Sequence, residues 1–244
     1  MTIKKNILFY LVSLFIFYQA NGQTKLNSIS FYVDYSYPMN KRLLVHKIDA
    51  VGGGAILTFN IYKYLHLNLT AGYSLFSLQQ EKALEQWNWR FYSERYSAIV
   101  KDNLRADSSL AATLNPIQKM ELNIFTLSFT YQYSLTKNIF IKPEFGAGIF
   151  FFTRRLYLEE TWRKKFESID YTFEYSYRNF ASNKYGNPFA VFGGISITFQ
   201  PSEIFSIGTF LNYYDFFRSI GKFGYDQFPI NDYLNFKIIL SFLY

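Results

Sequence analysis

The sequence predicts an all-β fold: a closed antiparallel transmembrane β-barrel, with eight strands as the leading count. Three observations carry this. Apolar and polar residues alternate with period two through eight separate segments. The connections between those segments alternate between short and long. Phe and Tyr, abundant in a chain that is 22% aromatic, share the aliphatic face of the alternation.

Composition excludes other classes. The chain has 244 residues, 50% hydrophobic and only 18% charged, which is too apolar for disorder. Its longest apolar run, Ile7 to Tyr18, is too short to be a spanning helix. No Cys and two His leave no disulfide, thiolate chemistry or histidine metal cluster, and no cofactor is implied. The formal charge of +7 is spread without a Lys/Arg cluster, so no nucleic-acid partner is expected. Lys4 and Lys5, the apolar run and the small residues Ala20 and Gly22 read as a signal peptide over residues 1–22. The barrel domain is then 23–244, with Gln23 first.

The first strand is Ser28 to Tyr37, with Ile29, Phe31, Val33 and Tyr35 against Ser30, Asp34 and Ser36. The second runs from Gly52 to Tyr62 and carries Ala55, Leu57, Phe59 and Ile61 on one face. The third, Leu65 to Leu78, opposes Leu67, Leu69 and Tyr73 to His66, Asn68 and Thr70. The fourth, Leu122 to Leu135, opposes Phe125, Leu127 and Phe129 to Thr126, Ser128 and Thr130. The fifth opens at Ile139, with Ile141, Phe145 and Ile149 outside and Lys142, Glu144, Gly146 and Gly148 inside. Ala190 to Gln200, Ile204 to Phe216 and Tyr233 to Tyr244 complete the set.

Short turns join strands two to three, four to five and six to seven, and the other four connections read as long. Short periplasmic turns with long extracellular loops produce this asymmetry. Ile169 to Tyr177 also alternates, so the hairpin of strands five and six is expected to continue above the membrane. A ten-stranded barrel is the alternative if that segment is a wall strand.

These residues resemble the small eight-stranded outer-membrane barrels, the OmpA/OmpX-like group in its Bacteroidetes form. The resemblance rests on the Gln-first mature chain, on Lys142-Pro143-Glu144-Phe145-Gly146-Ala147-Gly148, and on a last strand with polar Lys237, Phe242 and terminal Tyr244. Ile239 departs from the usual Gly there. The resemblance implies a Gram-negative outer membrane, contact with its lipid, and insertion by the barrel assembly machinery through the C-terminal strand. It further implies an extracellular ligand or protein partner for the loops. It says little of activity, because such barrels include adhesins, enzymes and structural proteins alike.

Four groups of residues are candidates for function. Asp34, Lys142, Glu144 and Lys237 point inward at matching heights and are expected to form a closed lumen charge network, with Asp34 and Lys237 ion-paired across the closing seam. Inner glycines such as Gly54, Gly72 and Gly194 read as space for large neighbours. His46, Asp107 and Ser108 lie in two expected loops and faintly resemble the residues of lipid A palmitoyltransferases, so an acyl-transfer enzyme is the alternative to a non-enzymatic barrel. Trp87, Trp89, Trp162, Tyr171 and Tyr175 lie in the long loops, where they form either a binding surface or an aromatic girdle with loops packed on one another.

Overall fold

The computed structural model describes residues 25–219 and 224–244. The signal segment expected over 1–22 lies outside the described residues. Eight long strands form a closed antiparallel ring. In ring order they are β1 (Lys25–Lys41), β2 (Val45–Tyr62), β3 (Leu65–Gln80), β4 (Leu110–Tyr131), β6 (Ile139–Phe166), β9 (Phe189–Ser202), β10 (Phe205–Phe216) and β11 (Ile230–Leu243). The ring closes where β1 pairs with β11, from Ser28 opposite Leu243 to Lys41 opposite Ile230. Three short or peripheral strands complete the sheet: β5 (Tyr133–Ser134), β7 (Tyr171–Phe180) and β8 (Lys184–Gly186). Closure leaves no open edge within the membrane, as hydrocarbon requires.

The strands outrun their expected bounds at the loop-bearing end. β6 continues through Phe166, with β4 on one side and β7 on the other. The hairpin therefore rises above the ring as a three-stranded blade. The ten-stranded alternative is overturned, because the β7 partner is the upper part of β6 rather than a further wall strand.

The first connection also differs from expectation. It is a tight turn between Lys41 and Val45, not a long loop. Leu43 and Leu44 both adopt left-handed backbone, with φ of 54° and 51°. Hairpin turns usually recruit Asn-Gly for that geometry, so two leucines hid the turn. Tertiary contacts hold it: Leu43 packs on the apolar core, and Arg42 donates to the carbonyls of Tyr225 (2.9 Å) and Phe228 (3.1 Å).

Polarity divides the barrel along its axis. On the turn side the exterior is apolar. The β1 exterior from Ile29 to Met39 covers about 26 Å along the membrane normal at a tilt of about 40°, matching a hydrocarbon band. Ile29, Leu69, Phe129, Phe145, Ile197 and Ile238 lie on this exterior, while Asp34, Asn68, Ser128, Thr130, Glu144 and Lys237 are buried in the lumen. Phe59 shares the outward register but is covered, at 8% exposure.

Above the band the two faces exchange character. Outward β4 residues change from Phe129, Leu127 and Phe125 to Asn123, Glu121 and Lys119. Inward ones change from Thr130, Ser128 and Thr126 to Ile124, Leu122 and Met120. The reason is the solvent outside: lipid below, water above. In water the barrel must hide its apolar residues within. Phe76, Met120, Leu122, Phe150, Phe228 and Ile230, all fully buried, fill the cross-section there with an apolar plug.

Candidate functional site

The lumen below the plug is polar and tightly filled. Tyr32 lies across β2 and β3, and a Cβ at Gly54 or Gly72 would come within 2.7 Å or 2.0 Å of its hydroxyl. Glycine at these positions makes room for the ring. Near the turn end a cavity of about 40 Å³ remains among His66, Asn68, Thr130 and Lys142.

The inward charges share a height, but not the expected pairing. Asp34 stands directly opposite Lys237 across the closing seam. No ion pair joins them among the described residues. Instead Asn235 donates to Asp34 (3.0 Å) and to Ser36 (2.9 Å). Lys237 donates to the Tyr214 hydroxyl (3.2 Å) and lies over the Tyr32 ring. Glu144 accepts from Ser128 (2.6 Å) and Asn212 (2.8 Å). Lys142 makes no ion pair with Glu144 among the described residues. Neutral amides, hydroxyls and ring faces thus solvate charges that were expected to solvate one another. The physical reason is reach. A Lys opposite an Asp can turn to an aromatic face, and a nearby amide satisfies the carboxylate at lower desolvation cost.

His46, Asp107 and Ser108 do not come together. His46 is on β2 at the level where Val45 and Lys47 face Gln80 and Gln79, and it sits 3.5 Å from Glu81. Asp107 caps the far end of the blade. Beyond Gln118, the last β4 residue paired to β3, the strand runs on to Leu110, about 26 Å. There Asp107 accepts from the backbone and hydroxyl of Ser109 and pairs with Lys164 at 2.9 Å. The Ser109 hydrogen bonds, then Lys164, hold its carboxyl down at about 2. Among the described residues neither group has the neighbours that acyl transfer needs.

The blade is two-faced because its strands alternate. One face is polar and cross-linked: Arg163 pairs with Glu174 (2.6 Å), Arg178 with Glu159 (2.8 Å), and Thr161 meets Ser176 (2.9 Å). On the other face, cross-strand register sets Glu160 beside Tyr177, Trp162 beside Tyr175, Lys164 beside Phe173 and Phe166 beside Tyr171. Against its base lies the long connection after β3, which forms helical segments at Ala83–Gln86, Phe91–Tyr96 and Ser97–Ala106.

Glu160 anchors that connection. Its carboxylate is fully buried, and among the described residues its donors are neutral: the Tyr96 hydroxyl (2.5 Å), Trp162 Nε1 (3.0 Å) and Asn179 (2.6 Å). Tyr96 also meets the Tyr177 hydroxyl. Burial first, and then the Glu160 hydrogen bond, push the Tyr96 phenol well above its ordinary value. Arg154 is the second anchor. It is buried, donates to Gln80, Gln118 and the Gln227 carbonyl, and stacks over Trp87.

The loop aromatics separate into two sets. Trp87 and Trp162 are 4% and 5% exposed and belong to packing, with Trp87 Nε1 donating to the Ser182 carbonyl. Trp89 packs against the Trp87 cluster and stacks on Tyr92. Tyr171 and Tyr175 are 52% and 45% exposed, and they form with Phe173 and Tyr177 a continuous aromatic row along β7. Glu160 and Arg154 were missed as functional anchors of the loop. Their signal was a charge on an otherwise apolar face holding Leu156, Leu158 and Trp162.

A closed eight-stranded ring with an apolar lipid band, tight turns at one end and elaborated connections at the other admits one environment. The chain is a small outer-membrane-type β-barrel. No family model matches it, and neither does any curated protein. Among solved structures it is similar to a major outer membrane protein of Thermus thermophilus, with 11% identity and TM-score 0.45 over 88% of this chain and 99% of that one. It is also similar to Neisserial surface protein A, with 8% identity and TM-score 0.43 over 91% and 99% of the two chains. A third is the attachment invasion locus protein of Yersinia pestis in complex with a heparin analogue, with 9% identity and TM-score 0.39 over 90% and 97%.

Proposed function

We propose that this barrel is a non-enzymatic surface-binding protein of the outer membrane, and that the aromatic face of its blade is the binding platform. One observation carries the reading. Tyr171, Phe173, Tyr175 and Tyr177 remain exposed in an unbroken row on a strand whose opposite face is tied down by ion pairs. Exposed aromatics in water are costly unless something covers them, and rigid rings lose little entropy on binding. The plug and the filled lumen leave the outside of the molecule as its working surface. The ligand is an extracellular molecule or protein with an apolar or planar face.

The test is cross-linking on intact cells with the full chain and with the triple variant Tyr171→Ser, Phe173→Ser, Tyr175→Ser. The captured species should disappear in the triple variant while the barrel remains folded and inserted. Equal capture by both would overturn the reading.

A further inference from the structure

We infer that the cavity at the turn end of the lumen is a binding site for a small protic oxyanion, of the size and chemistry of bicarbonate. Lys142 holds the negative charge, and His66 accepts the ligand's O–H. The site lies inside the ring, at the end opposite the blade, and does not depend on the reading of the blade.

The first observation is the lining of the cavity. Its volume is about 40 Å³. One water needs roughly 10–15 Å³, so the space suits a group of about three or four heavy atoms. Ile56, Phe210 and Ile239 form an apolar side, packed together with Tyr32. The rest is polar, with the hydroxyls of Ser28, Thr58 and Thr198 among its donors. The described lining holds the cation Lys142 and no carboxylate. Glu144, two residues along the same face of the strand, is already engaged by Ser128 (2.6 Å) and Asn212 (2.8 Å). Lys142 has no ion-pair partner among the described residues. An unpaired ammonium in a narrow interior is costly, and an anion beside it relieves that cost.

The second observation is an orphaned nitrogen. His66 lines the same cavity at 6% exposure, and its Nε2 is buried with no hydrogen-bond partner among the described residues. The other ring nitrogen is committed. Nδ1 donates to Asn60 Oδ1 (2.6 Å), and the Asn60 amide is oriented by its own donation to Asn27 Oδ1 (3.0 Å). With the proton on Nδ1, Nε2 of the neutral ring is a bare acceptor that needs a donor. Asn60 stands outside the lining, so Nε2 is the edge turned to the cavity. The site therefore asks for two things at once: negative charge at Lys142 and an O–H at His66. A halide or nitrate supplies only the first, and water only the second. Bicarbonate supplies both, with oxygens left to accept from the hydroxyls.

The test compares bicarbonate with nitrate, which has the same planar shape and charge but no O–H. The full chain is folded in detergent micelles at one mildly alkaline pH and constant ionic strength. Binding is read from NMR line broadening of carbon-13 bicarbonate and nitrogen-15 nitrate. Bicarbonate should bind more tightly than nitrate by roughly two- to tenfold, the range of one net hydrogen bond. Lys142→Met should weaken both ligands by about tenfold or more, the range for a hydrogen bond to a charged group. His66→Phe, which keeps a ring and removes the acceptor, should erase the preference while leaving nitrate bound. The chain has two His, so His46→Gln leaves His66 as its one imidazole, and bicarbonate should shift that ring's resonances. Folding of each variant is checked by the mobility shift between boiled and unboiled protein. Equal binding of the two ions, a preference that survives His66→Phe, or bicarbonate broadening that is unchanged in folded Lys142→Met overturns the site. So does the absence of any broadening by the unaltered chain, which would mean that the cavity holds water alone.

Discussion

Exchange of polarity along β4 makes a quantitative prediction about single charges. Phe129 and Asn123 lie on the same strand and the same outward face. They are about 20 Å apart along the strand and, at a tilt of about 40°, about 15 Å apart along the membrane normal. With the band ending near Phe125, Phe129 falls close to the bilayer midplane and Asn123 above it. Phe129→Lys should therefore cost roughly 2–4 kcal/mol, whereas Asn123→Lys should cost about 0–1 kcal/mol. Met120→Lys would place the same charge inside the plug, whose described residues are apolar or aromatic, and should prevent folding or cost more than about 4 kcal/mol. The assay is reversible urea unfolding in lipid vesicles, followed by tryptophan fluorescence and gel mobility. Equal costs at 123 and 129 would refute the assigned membrane boundary. A tolerated Met120→Lys would refute the plug.

Gly72→Ala should destabilise the barrel by about 1–3 kcal/mol through its clash with the Tyr32 hydroxyl, and Tyr32→Phe in the same chain should recover part of that in the same urea assay. Leu44→Gly should stabilise by about 1 kcal/mol, because an exposed leucine there is held at positive φ; an unchanged urea midpoint would contradict the turn geometry. The Tyr96 contribution to docking of the loop should be fully present below about pH 10 and be lost as pH rises above that, since Tyr96 is held neutral in the folded protein but ionises freely when undocked. Tryptophan fluorescence between about pH 9 and 12 measures this, and Tyr96→Phe should remove the transition. Single-channel recordings in planar bilayers should stay near background, and steady currents would mean the apolar plug opens.

What the sequence determined by itself was everything that depends on local period. Alternation is a property of consecutive residues, so the wall strands, their faces and the closing seam of β1 with β11 were all legible in it. The same pattern continues through Gln118 to Asn123, but there its meaning reverses, because the solvent outside has changed from lipid to water. A period of two reports two faces and does not say which one is inside. Only the tertiary structure set that boundary, and with it the plug and the blade. It also decided matters of reach. Leu43 and Leu44 turn because Arg42 and the core hold them, not because leucine favours the geometry. Asp34 and Lys237 share a register position that the pattern foretold, yet Asn235 and Tyr214 stand closer to their charged ends than they do to each other. Trp87 and Trp162 vanish into packing while Tyr171 and Tyr175 stay exposed, because the connection after β3 packs Trp87 against Leu156 and Ala181 and lays Tyr96 on Glu160 beside Trp162. Which aromatics are covered depends on where a segment distant in sequence comes to rest, and no local spacing encodes that.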